Sequence, residues 1–179
     1  AFFSPLSDTE LPKGSKGLVL GGGYPELYAR KLSENKAMLT CIREAVQGGM
    51  PCLAECGGFL YLHESLADPE QKEYQMAGVI KGKAASQGKL VRFGYICIEG
   101  QKDGAYLKNG EVIRGHEFHY WDCTENGSRC RAVKPDGKRN WDCVEQKEAV
   151  FAGFPHISYD SCPDFAKRFV KVCLERRKT

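Results

Sequence analysis

The segment Ala54-Glu55-Cys56-Gly57-Gly58 lies where a short apolar strand pattern gives way to a helical one, the place at which a nucleophile elbow presents a reactive side chain. Such an elbow needs a strained turn at the nucleophile and small residues two positions to either side, so that strand and helix can approach. Ala54 and Gly58 meet that need. A helix that follows directly aims its N-terminal N–H groups at the sulfur, which favours thiolate and therefore nucleophilicity. An inert buried cysteine beside two glycines would give the same pattern, so the pattern alone leaves both readings open.

A catalytic thiol needs a base, and the chain has four histidines: His63, His116, His119 and His156. His156 follows the last apolar run, at Gly153-Phe154-Pro155-His156. In a parallel α/β sheet the C-terminal strand ends share one edge, so this residue can meet Cys56 despite the long separation in sequence. His63 falls within the helix after Cys56 and is expected to point elsewhere. His116 and His119 flank Glu117 in Arg114-Gly115-His116-Glu117-Phe118-His119-Tyr120. Strand alternation sends His116, Phe118 and Tyr120 to one face and Glu117 and His119 to the other. Glu117 and His119 are then either a structural hydrogen-bonded pair or groups that orient a substrate. The loop Gly21-Gly22-Gly23 lacks the Lys-Ser/Thr of a P-loop and the spacing of a dinucleotide fingerprint. It suits an oxyanion hole better, because glycine lets a backbone N–H of Gly22 or Gly23 approach a tetrahedral intermediate, with the N–H of Gly57 as the second donor.

These residues need a scaffold. Leu18-Val19-Leu20 ends in a glycine loop and reads as a buried strand, and Glu26 to about Gln47 carries a helical apolar stripe, broken near Ser33-Glu34-Asn35 and closed by Gly48-Gly49. Met50 to Ala54 is a second short strand before the helical segment that starts at Gly57. Two strand-to-helix units in series predict a parallel sheet with crossover helices. The middle differs: Met76 to Ile80, Leu90 to Ile98 and Val112 to Tyr120 read as strands between glycine-rich turns, which predicts an antiparallel insertion. Thr124 to Asn140 is polar and reads as a loop. Val150 to Phe154 is a last buried strand, and Pro163 to Arg177 a closing amphipathic helix.

At 179 residues the chain is expected to form one domain spanning 1–179. Hydrophobic residues at 42% and charged residues at 27% fit a globular chain, and the longest apolar runs are far shorter than the roughly 20 residues of a membrane span. No membrane association, no secretory leader and a cytoplasmic location are the resulting expectations. A net charge of +3 is too balanced to call for nucleic acid; the basic tail through Arg176-Arg177-Lys178 reads as a solvated helix face. Nine cysteines cannot all pair internally, and reduced thiols are expected. Cys123, Cys130 and Cys143 are spaced by 7 and 13, and Cys41, Cys52 and Cys56 by 11 and 4, so neither set offers the CxxC pair of a zinc site; no metal is expected.

Taken together, Phe3-Ser4-Pro5-Leu6, Leu20 to Leu27, Pro51 to Leu62, Arg92-Phe93-Gly94-Tyr95 and Arg114 to Tyr120 resemble the successive blocks of the class I (triad-type) glutamine amidotransferase domain of cobyrinic acid a,c-diamide synthases, from Phe3 to about Val172. The resemblance implies a flavodoxin-like three-layer α/β/α fold in which Cys56 attacks the glutamine side-chain amide, His156 transfers the proton and ammonia leaves. Gly22, Gly23, Gly57, Glu117 and His119 would surround the substrate. It implies no cofactor in this domain; ATP and Mg belong to an N-terminal synthetase domain, which uses the ammonia to amidate the a- and c-carboxylates of cobyrinic acid. Another tetrapyrrole acceptor, such as a nickel-containing sirohydrochlorin, or a catalytically silent binding domain are the alternatives, and a homodimer is left open. Three departures stand out. The closing motif usually reads His-x-His, whereas Ser158 stands at the second place here, and serine cannot supply carboxylate charge to the third triad role. The ATP-binding domain is not in this chain. The family's domain also normally starts one strand and one helix earlier, and losing a central strand would leave two neighbouring strands with orphaned backbone groups, each costing roughly 1–3 kcal/mol.

Overall fold

The computed structural model describes residues 1–176. The first unit is strand β1 (Leu18–Leu20), a 3-10 turn at Pro25–Tyr28, helices α1 (Ala29–Glu34) and α2 (Lys36–Gln47), and strand β2 (Cys52–Glu55). Asn35 breaks the long apolar stripe where the sequence suggests. Its side-chain oxygen accepts from the Met38 N–H at 3.3 Å and so caps α2, while its amide donates to the carbonyls of Pro5 and Asp8, both at 2.8 Å. The cap thereby ties the N-terminal segment to the helices.

Helix α3 (Gly57–Leu62) follows, then strands β3 (Ser65–Ala67), β4 (Glu73–Gln75) and β5 (Lys83–Ser86). The long strands β6 (Arg92–Gly100) and β7 (Val112–His119) come next, with β8 (Trp121–Cys123), β9 (Cys130–Val133), β10 (Asn140–Cys143) and β11 (Glu145–Lys147). The chain closes with β12 (Val150–Gly153), β13 (His156–Ser158) and helix α4 (Pro163–Glu175). The basic residues Arg177 and Lys178 lie outside the described residues.

Among the described residues the strands form three sheets. One has the order β1-β2-β12-β11, parallel except for β11. The second, β10-β9-β6-β7-β13, is antiparallel throughout, and the third is β4-β3-β5-β8. Alternation along the parallel strands builds the layers. Leu18, Leu20, Cys52, Ala54 and Ala152 point into a core shared with α2 and α3, whereas Leu53 and Phe151 point into a second core with Ile96, Ile98 and Phe165. The two inner parallel strands, β2 and β12, are thus covered on both faces, as their continuous apolar runs require.

Two sequence expectations need correction. The run Met76 to Ile80 is not a strand: its N–H groups bond to the carbonyls of Glu64, Tyr61, His63 and Leu62, wrapping the segment over the end of α3, with Met76 and Ala77 fully buried. Its apolar character reports burial and not sheet pairing. Thr124 to Asn140 is not simply a loop, because it holds β9, whose Cys130 and Ala132 face the second core. In the parallel sheet the open edge is at β1, the side on which an earlier strand would pair. Strands β2 and β12 pair directly, and β1 stands at the edge, paired among the described residues with β2 alone and leaving Val19 exposed.

Candidate active site

Strand β2 ends at Glu55, and Cys56 then takes φ 48° and ψ −104°, a left-handed conformation that costs a non-glycine residue. The surroundings fix it. Its N–H donates to the Gly153 carbonyl at 2.8 Å, and its carbonyl accepts from the Leu60 N–H at 3.0 Å. The Gly58 N–H donates to the Gly21 carbonyl at 3.0 Å, and a Cβ at Gly58 would collide with the Leu20 carbonyl. Only glycine lets α3 lie this close to β1, which is the steric requirement read from the sequence.

The other glycines act at the same point. A Cβ at Gly57 would come within 2.7 Å of the Gly23 oxygen and 2.8 Å of its nitrogen, and one at Gly22 would strike the His156 ring at Cε1. Gly22, Gly23, Gly57, Cys56 and His156 therefore converge. A cleft of about 420 Å³ lined by Phe3, Tyr24, Tyr61 and these three glycines adjoins them, although neither Cys56 nor His156 lines it.

His156 opens β13, opposite His116 of β7, and reaches the site through the short link Phe154-Pro155 from β12. Its ring is coupled electrostatically to the Cys56 thiol, and its Nδ1 lies 3.7 Å from Glu55 Oε2. The Cys56 thiol, and after it the Glu55 carboxylate, hold the imidazole pKa up to about 10 against the opposing effect of burial, which favours the charged ring at neutral pH. Glu55 Oε1 in turn accepts from the Tyr159 hydroxyl at 2.6 Å. Burial, and then that hydrogen bond, push the Tyr159 phenol up, so it remains a donor. The third position thus differs from the one the sequence suggested. Ser158 is exposed and is engaged through its carbonyl, which accepts from the Ser161 hydroxyl at 2.6 Å, whereas the carboxylate at the histidine is Glu55.

Glu117 and His119 do not line that cleft. They occupy the buried face of β7, 2% and 7% exposed, around a small cavity of about 30 Å³ that also includes Arg92, Trp141 and Phe154. His119 stacks on Phe154 with centroids 3.7 Å apart, and its Nδ1 donates to the Trp121 carbonyl at 2.6 Å. His63 is buried, with Nδ1 2.9 Å from the Phe59 carbonyl and Nε2 3.0 Å from that of Glu125. All nine cysteines are unpaired. Burial pushes the Cys52 and Cys130 thiols up to about 12 and raises Cys123 and Cys143 as well, whereas Cys56 is partly exposed. Among the described residues no three His, Cys, Asp or Glu side chains group as a metal site, and no helix is long and apolar enough to cross a membrane.

Solved glutamine amidotransferases share this architecture. One, described as a glutamine amidotransferase, superposes with a TM-score of 0.59 at 18% identity, covering 90% of this chain and 80% of the other. The PurLQS complex of Thermotoga maritima includes a chain that matches with a TM-score of 0.53 at 18% identity, covering 94% and 82%. The fold is therefore that of the class I glutamine amidotransferases. Residues 1–163 match the model of the CobB/CobQ-like glutamine amidotransferase domain, and the chain belongs to that family. Cobyrinate a,c-diamide synthase of Caldanaerobacter subterraneus is 41% identical over 173 residues, 96% of this chain and 38% of that protein. The synthase of the same name from Fusobacterium nucleatum is 41% identical over 163 residues, 88% and 35%. The chain spans little more than a third of these relatives' length.

Proposed function

We propose that this domain hydrolyses glutamine at Cys56 and His156 and delivers the ammonia to an ATP-dependent synthetase domain that amidates the a- and c-carboxylates of cobyrinic acid. With its proton passed to His156, the Cys56 sulfur attacks the side-chain amide carbon as the thiolate, and the carbonyl electrons move onto oxygen. The resulting oxyanion is met by the N–H of Gly57 and one from the Gly22–Gly23 loop. His156, which holds a proton at neutral pH, gives it to the departing nitrogen as the carbon–nitrogen bond breaks. Ammonia leaves a thioester on Cys56. A water then attacks the acyl carbon, His156 takes its proton, and glutamate is released with the thiol restored.

The observation that carries this reading is the strained elbow at Cys56 with the His156 ring and three glycines closed around it. The acceptor comes from kinship: the similar proteins are named cobyrinate a,c-diamide synthases. Diazo-oxonorleucine, a glutamine mimic, should label Cys56 and spare the buried Cys52, Cys123, Cys130 and Cys143, and Cys56→Ser should release no glutamate. Peptide mapping that finds the label mainly on another cysteine would overturn the assignment.

A further inference from the structure

Resting on that reading, we propose that Glu55, clamped by Tyr159, is the positioning carboxylate of the site and fills the triad place that Ser158 leaves without charge. The two carboxylate oxygens are divided between two tasks. Oε2 faces His156 Nδ1 at 3.7 Å, and Oε1 accepts from the Tyr159 hydroxyl at 2.6 Å. The Glu55 side chain is 17% exposed against 42% for His156, so the carboxylate is the sheltered partner and its field at the ring is only partly screened by water. Tyr159 is itself anchored, its ring packing near Phe165 in the second core, with ring centroids 5.9 Å apart.

The topology explains why these groups meet. In a regular strand the adjacent residues Glu55 and Cys56 would project to opposite faces. The left-handed turn at Cys56 breaks that alternation, and both side chains reach one imidazole. From the other side the chain turns directly after β13 into a 3-10 turn at Tyr159–Ser161, which brings the phenol back to the residue before the nucleophile. A carboxylate at Nδ1 keeps the proton on that nitrogen and leaves Nε2 to exchange a proton with sulfur and with the departing amine, and it stabilises the imidazolium formed in between. No proton moves to Glu55 in any step.

The test is a nitrogen-15 NMR titration of the His156 ring, assigned with His156→Gln, in the parent chain, Glu55→Gln, Tyr159→Phe and Ser158→Ala. Glu55→Gln should lower the His156 midpoint by about one unit or more and let the neutral ring populate both tautomers. Tyr159→Phe should shift it the same way by less, and Ser158→Ala should leave it in place. In parallel, Glu55→Gln should lower kcat for glutamine hydrolysis on the order of 100-fold with KM little changed, and Glu55→Asp should recover part of that loss. If Glu55→Gln does not fold, Tyr159→Phe, which keeps the ring and removes only the donor, carries the same comparison. An unmoved midpoint, or Ser158→Ala costing as much as Glu55→Gln, would overturn the proposal. The titration reads the coupling whether or not glutamine is hydrolysed, so a parent chain that releases no glutamate would instead overturn the functional reading.

Discussion

Cys56 and His156 converge on one site, yet they belong to differently built halves. The nucleophile leaves β2, a parallel strand buried on both faces, with its turn fixed by a backbone hydrogen bond to Gly153 and by the close packing of Gly58 on β1. The histidine opens β13, the edge strand of the antiparallel sheet, held by three register positions on β7 and half exposed. The nucleophile's place is therefore set by packing that the whole domain needs in order to fold. The base's place is set by a short edge pairing that stability needs much less. Geometry at the site should accordingly be lost from the histidine side first.

Paired glycine substitutions probe that asymmetry most strongly. Gly58→Val pushes a side chain into the Leu20 backbone, which cannot yield, and should cost about 3 kcal/mol by overpacking, read as a lower denaturant midpoint. Gly115→Ala places its Cβ 2.7 Å from the His156 carbonyl and 3.2 Å from Ile98, so it should push β13 outward. Its stability cost should be nearer 1 kcal/mol, while a shift of His156 by about 1 Å lowers kcat up to about 100-fold. If Gly115→Ala lost stability and activity in the proportion that Gly58→Val does, the two halves would be one unit and the contrast would fail.

A smaller effect is expected from pH. The His156 pKa lies at about 10 in the folded chain, above its ordinary 6.5, so the native state binds that proton more tightly than the unfolded state. The stabilisation is complete below about 6.5 and is lost as pH rises toward 10. Thermal melts should therefore show the advantage of the parent over His156→Gln shrinking across that window. A constant difference would mean that the ring does not carry its proton in the fold.

The halves also differ in how far they were legible. Met50 to Ala54 and Val150 to Phe154 announce themselves as short apolar runs, because a strand covered on both faces needs no alternation, whereas Leu18-Val19-Leu20 reads the same way although its middle residue is exposed. Strands β6 and β7 follow from their period of two, which also placed Glu117 and His119 on the buried face and Phe118 and Tyr120 on the exposed one. Strand β9 was hidden, since two inward residues, Cys130 and Ala132, are too few to stand out in a polar stretch. Met76 to Ile80 misled because apolar residues serve a wrapped segment as well as a strand. Within the site, Cys56, His156 and the glycines were readable from spacing and chain order. Glu55 was not, because alternation assigns it to the face opposite Cys56, and only the dihedral reversal at the turn brings it to the histidine.

That reversal sets the interests of folding and chemistry against each other at one residue. Position 56 has a backbone shape that glycine adopts freely and that any side chain makes costlier, by roughly 1–3 kcal/mol. Cys56→Gly should therefore unfold at a higher denaturant concentration than the parent, by about 1 kcal/mol once the lost sulfur contacts are set against the relief. A library randomised at this codon and sorted for soluble yield alone would drift toward glycine; sorted for ammonia release, it would keep returning cysteine.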